Sequence, residues 1–84
     1  MIHAFPRLVE HRAVPQDGGG YVAETIWDVT FVHDSGAHLG TTTMLVSGVG
    51  EGNESWWDAR RKAYRAASHL ANHEQAMLGE LVAP

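Results

Sequence analysis

The sequence predicts an α+β fold: a three-stranded antiparallel sheet in β-β-β-α order, with one long C-terminal helix packed on one of its faces. Three observations carry this. Residues 21–33, "YVAETIWDVTFVH", alternate apolar and polar side chains with period two and are rich in β-formers. A short glycine-containing turn, "DSGA" (34–37), separates them from a second β-rich run. From Asn53 onward alanines recur at helical spacing.

Taken in order, the first strand is expected within "FPRLVEHRAV" (5–14), although its alternation is poor, and Pro6 marks an edge position or a late start. Pro15 and "QDGGG" (16–20) break the chain, since three consecutive glycines leave the backbone too free for an element interior. In the second strand Trp27, Val29 and Phe31 fall on one side and Asp28 and Thr30 on the other. Gly36 supplies the positive φ of the turn. "HLGTTTMLVSGV" (38–49) then returns as the third strand of an antiparallel hairpin.

The helix is predicted to begin with Asn53 as N-cap and with Glu54 facing the positive end of the helix dipole. Trp56, Ala59, Ala63, Ala66, Ala67, Leu70, Met77, Leu78 and Leu81 share one side, and the alanines let the helix lie close to the sheet. Glu74 interrupts the stripe, so sheet coverage ends or the helix bends there. The tail "MLGELVAP" then forms a separate apolar patch, with Gly79 fraying it.

Size bounds the chemistry. The 84 residues make a single domain, 1–84, that buries about 60–65% of its unfolded surface, which leaves room for one thin core and no deep cleft. Cysteine is absent, which excludes disulfides and thiolate sites and fits a reducing, cytoplasmic location. "MIHAFPRLVEHR" lacks the apolar run of a signal peptide, and no stretch approaches the roughly 20 apolar residues of a membrane span. The net charge of −4 is divided unevenly. Residues 1–52 carry six acids against Arg7 and Arg12, giving −4; residues 53–84 carry four acids against Arg60, Arg61, Lys62 and Arg65, giving zero. A nucleic-acid binder usually presents a net basic face, so nucleic acid is not expected as a direct partner.

Catalytic patterns are missing. Ser35, Ser47, Ser55 and Ser68 lie outside any Gly-x-Ser-x-Gly elbow, and Glu51 and Glu54 look like capping charge. "SGVGEG" lacks the Lys-Ser/Thr that completes a phosphate loop. His69 and His73 have the i, i+4 spacing of a zinc pair, but no third ligand accompanies them. No enzyme activity, metal or cofactor is expected.

Partner-binding chemistry is better represented. Trp57 lies about a quarter-turn off the alanine stripe, and Tyr64 follows on the same flank. Both could close the rim of the core, or they could anchor a partner, since aromatics beside arginines are enriched at interface hot spots. Arg61 and Arg65 form an exposed i, i+4 pair. Asp28 and Asp34 represent the acidic sheet half, which would meet a basic surface. If the second face of the sheet or an edge strand is left open, Val22, Ile26 and Val32 line it, and a homodimer is expected.

"GEGNESWWDARRKAYRAA" (50–67) resembles the third strand and second helix of a double-stranded RNA-binding domain. Gly50 and Gly52 match the family's Gly-x-Gly turn, Ser55 the helix start, and Ala59, Ala63, Ala66 and Ala67 its packing face. Residues 7–72 could be laid over its β-β-β-α portion. Trp56 and Trp57 stand where the family has its phosphate-binding lysines. "MIHAFPRLVEHR" offers no counterpart of its first helix, and "PQDGGG" holds no histidine for a minor groove. The resemblance therefore implies the topology and argues against RNA function. By general type, the small acidic chain resembles phage- or mobile-element-encoded inhibitors such as the anti-CRISPR proteins, which implies a bacterial nucleic-acid-handling complex as partner. The expectation is a non-enzymatic protein-interaction module. The alternatives are a degenerate RNA-binding domain using Arg60, Arg61, Lys62 and Arg65, and a small oligomeric enzyme with an inter-subunit site.

Overall fold

The computed structural model describes the backbone of residues 1–82 and the side chains through Met77. Strands β1 (Ile2–Pro15), β2 (Tyr21–His33) and β3 (His38–Gly50) form one antiparallel sheet in the order β1-β2-β3, followed by helix α1 (Asn53–Val82). This is the predicted β-β-β-α architecture. The hairpin between β2 and β3 closes as expected, with His33 N–H donating to Ala37 O and Gly36 at φ 88°.

The alternation of β2 places Ala23, Thr25, Trp27, Val29 and Phe31 beneath the helix, all of them buried. Their partners on β3 are Gly48, Val46, Met44, Thr42 and Gly40. β1 is longer than its sequence suggested, and its poor alternation has a structural cause. Val9 is an extra residue: Leu8 pairs with Trp27 and Glu10 with Ile26, so the ladder slips by one between them. Ile2, Ala4, Pro6 and Leu8 therefore lie on the helix side before the bulge, and His11 and Ala13 lie there after it.

The alanine stripe is the contact between layers. Ala59, Ala63, Ala67 and Ala71 are buried, and Ile2, Val29, Phe31, Ala67 and Ala71 form the core cluster with Ala4, Met44 and Leu70 around it. The closest approach is at Gly48, where a Cβ would collide with Ser55 O and Ala59 N and come within 2.8 Å of Ala59 Cβ. From Gly48 the helix crosses diagonally to Ile2 at the far end of β1, leaving Gly40 and Thr42 of β3 exposed.

Sheet coverage ends at Ala71, one turn earlier than Glu74, and residues 72–77 are exposed. The backbone stays helical through Gly79 to Val82, so the helix continues where a bend or fraying was expected. Thirty helical residues span about 45 Å, close to the length of the strands, so the diagonal path carries residues 72–77 past the sheet, and the molecule measures 56 Å in its longest dimension. The separate tail patch of "MLGELVAP" falls, after Met77, outside the described side chains.

Candidate functional site

The first turns of α1 are built on a stack of aromatic rings. Trp27 is buried, and its indole N–H donates to Thr25 Oγ1 at 2.7 Å, while Thr25 Oγ1 donates to Val46 O at 2.7 Å. Both polar groups are thereby satisfied inside the core. Trp56 lies parallel on Trp27 at 6.0 Å, and the His11 ring meets its edge at 5.0 Å. Trp56 is half-buried, a cover on Trp27 rather than the fully buried anchor its place on the alanine stripe suggested. Tyr64 meets Trp27 edge-on from the next turn, at 6.2 Å.

Above this layer Trp57 is 52% exposed and Tyr64 44% exposed, which in an 84-residue chain is a large aromatic area left in water. The guanidinium of Arg60 bridges them, 5.7 Å from the Trp57 ring and 4.8 Å from the Tyr64 ring. Contacts of this kind hold a cation over the negative face of each ring. They also fix an otherwise floppy side chain while its N–H edge stays available. Positions 57, 60 and 64 follow i, i+3, i+7 spacing, so the three side chains gather on one helix flank. Arg60 completes this site, although the sequence pattern places it only in the RNA-binding alternative. Its distance from two aromatics, three and four residues away, was the available signal.

The remaining candidates separate into two groups. Arg61 and Arg65 are exposed on the same outer surface, with Arg61 3.6 Å from Asp58. Lys62 turns toward β3, where it donates to Asp58 at 2.8 Å and to Ser47 O at 3.3 Å. Asp58 accepts the Val49 N–H at 2.9 Å, and its carboxyl lies below the ordinary carboxylate range because Lys62 and then Val49 hydrogen-bond to it. Asp28 and Asp34 are far from this flank and already engaged. Asp28 accepts from Arg7 at 3.2 Å and from Thr43 Oγ1 at 3.1 Å. Asp34 binds His3 and the N-terminal ammonium, in that order the causes that hold its carboxyl low.

Arg12 pairs with Glu24 in the same manner across the open sheet face. Val22, Ile26 and Val32 do lie on that face, but the charged Arg12–Glu24 and Arg7–Asp28 rungs interleave with them. Arg7 and Arg12 are already included in the −4 of residues 1–52, so these pairs fix where that charge sits, and Glu10, Asp17 and Glu51 take part in none of them. The free positive charge sits on the helix.

His69 and His73 are exposed, and among the described residues no three His, Asp or Glu side chains converge as a metal site would require. No described helix is long and apolar enough to cross a membrane. Comparison of the chain with protein-family models, with curated proteins and with solved structures returned no match. What the chain binds has therefore to be argued from its own surface chemistry.

Proposed function

We propose that the chain is a non-enzymatic interaction module that docks on a larger protein through the outer flank of α1. The observation that carries this is the Arg60 guanidinium held between the exposed rings of Trp57 and Tyr64. Ordering a long side chain on binding costs about 0.5–1.5 kcal/mol, and a pre-stacked arginine avoids part of that cost. Trp57 would fill an apolar recess on the partner, and Arg60, with Arg61 and Arg65 beside it, would meet carboxylates.

The partner surface inferred here is acidic. Glu24, Asp28 and Asp34 are engaged by Arg12, Arg7 and His3, whereas among the described ion pairs none engages Arg60 or Arg65 on the helix flank. The type resemblance to phage-encoded inhibitors contributes only a partner class, a bacterial nucleic-acid-handling complex, approached through an acidic protein patch.

The test is affinity capture from a bacterial lysate with wild type, Trp57→Ala and Arg60→Ala, each with and without nuclease. A protein retained by wild type, lost with either variant and indifferent to nuclease is the expected result. Retention that disappears with nuclease would transfer the function to the RNA-binding alternative. Retention unaffected by both substitutions would remove this flank from consideration.

A further inference from the structure

We propose that the uncovered middle of the β3 edge is a self-association site, at which two copies pair antiparallel about a two-fold axis through Thr43. Edge strands expose unpaired N–H and C=O groups, and proteins usually blunt them with charge, proline, bulges or a covering element. β1, the other edge, is blunted: it contains Pro6, Pro15 and the Val9 bulge. β3 contains no Asp, Glu, Lys, Arg or Pro over its 13 residues.

The direction of the free groups follows from two hydrogen bonds. Val49 N–H reaches Asp58 and Ser47 C=O receives Lys62, so both residues turn their backbone away from β2. Alternation along an antiparallel strand then directs the N–H and C=O of Thr41, Thr43 and Leu45 outward as well. The same two side chains close the edge at Ser47–Val49. At the opposite end the ladder is broken by the extra residue Leu39, since Phe31 pairs with Gly40 and Val32 with His38. The open segment therefore runs from Gly40 to Val46, and its midpoint is Thr43.

That symmetry selects the occupant. A two-fold through Thr43 sets Thr43 opposite itself, Thr41 opposite Leu45 of the second copy, and Thr42 opposite Met44 of the second copy. Each closed end then meets the other copy's Leu39 bulge, where its ladder is already interrupted. About six backbone hydrogen bonds form, two for each facing pair of outward residues. Outward residues meet outward residues, so both open faces lie on one side of a continuous six-stranded sheet and both helices on the other. The helices do not obstruct the junction, because α1 crosses away from β3 and leaves Gly40 and Thr42 exposed. No like charges face each other across it.

Light scattering of the full chain at high micromolar concentration should give about twice the 9.2 kDa of one copy. Thr43 is exposed and loses only its surface hydrogen bond to Asp28, which keeps Arg7, so Thr43→Lys should shift the melting transition little, set two ammonium groups together on the axis and return the mass to one copy. The chain has no cysteine, which allows a second readout. Facing residues on the axis have Cα atoms about 5.5 Å apart, within disulfide reach. Oxidised Thr43→Cys should therefore link covalently, while Thr42→Cys, whose copies lie beyond about 7 Å in this register, should not. A one-copy mass for wild type overturns the proposal. So does a dimer that survives Thr43→Lys, or one in which Thr43→Cys fails to link.

Discussion

Thr25 and Trp27, two residues apart on the same face of β2, share one buried hydrogen bond, the indole N–H donating to the hydroxyl. The hydroxyl in turn donates a hydrogen bond to Val46 O on the neighbouring strand, so one threonine satisfies a tryptophan and joins β2 to β3. Thr25→Val keeps the shape and leaves the indole N–H without its acceptor in a site from which water is excluded. Urea unfolding should show a loss of about 1–3 kcal/mol, the cost of an unsatisfied buried donor. A neutral result would mean that the indole finds another acceptor.

Gly48 sets the distance between sheet and helix. Any Cβ there meets the helix backbone at Ser55 and Ala59, which cannot yield as a flexible side chain would. Gly48→Ala should destabilise by at least about 2 kcal/mol and Gly48→Val by more. Gly18, which has open space around it, provides the control: Gly18→Ala should change stability by less than about 0.5 kcal/mol.

The adjacent tryptophans should separate in a denaturant experiment. Trp56 covers Trp27 and meets His11, so Trp56→Ala should cost about 2 kcal/mol, below the figure for a fully buried indole. Trp57 is half exposed with Arg60 over its ring, and Trp57→Ala should cost less than about 1 kcal/mol. Equal and severe losses would place Trp57 among the structural residues and leave the docking flank without its anchor.

Asp58 and Asp34 both carry carboxyls lowered on folding, by Lys62 with Val49 and by His3 with the N-terminus respectively. A group whose folded pKa is depressed contributes stability above its unfolded value, near 3.9, and that stability is lost as pH falls through the folded value. Urea midpoints should therefore hold between pH 7 and 5 and drop below about pH 4. Asp58→Asn should make the drop shallower. An unchanged acid limb would show that the Asp58–Lys62–Val49 cluster is too well solvated to matter.

β2, β3, their hairpin and the helix start were legible because each rests on local chemistry: period-two alternation, Gly36 in its turn, and alanines from Ala59 to Ala71; β1 was legible only in part, because the Val9 bulge breaks its alternation. Gly48 was not, because its role exists only once the helix crosses β3 there. The pairing of Asp28 with Arg7 was equally hidden, as 21 residues separate them and the register that joins them depends on the bulge. Trp57 and Tyr64 could be nominated from their shared flank. Arg60 stands between them on that flank, three residues from Trp57 and four from Tyr64.

The Val9 bulge gives β1 a rule of parity. Before it, even-numbered positions build the floor under Ala67 and Ala71; after it, odd-numbered positions build the ledge under Trp56. One strand thus carries two opposite codes of inside and outside, joined at a single residue. A scan of polar substitutions along β1 should show sensitivity at Ile2 and Ala4 and then at His11 and Ala13, with tolerance switching phase at Val9. Pairing Val9 itself with Ile26, with no bulge, would shift the rest of the ladder by one and turn Glu10 and Arg12 toward the helix. The bulge is therefore where this chain stores the instruction that lets both ends of the helix find an apolar surface.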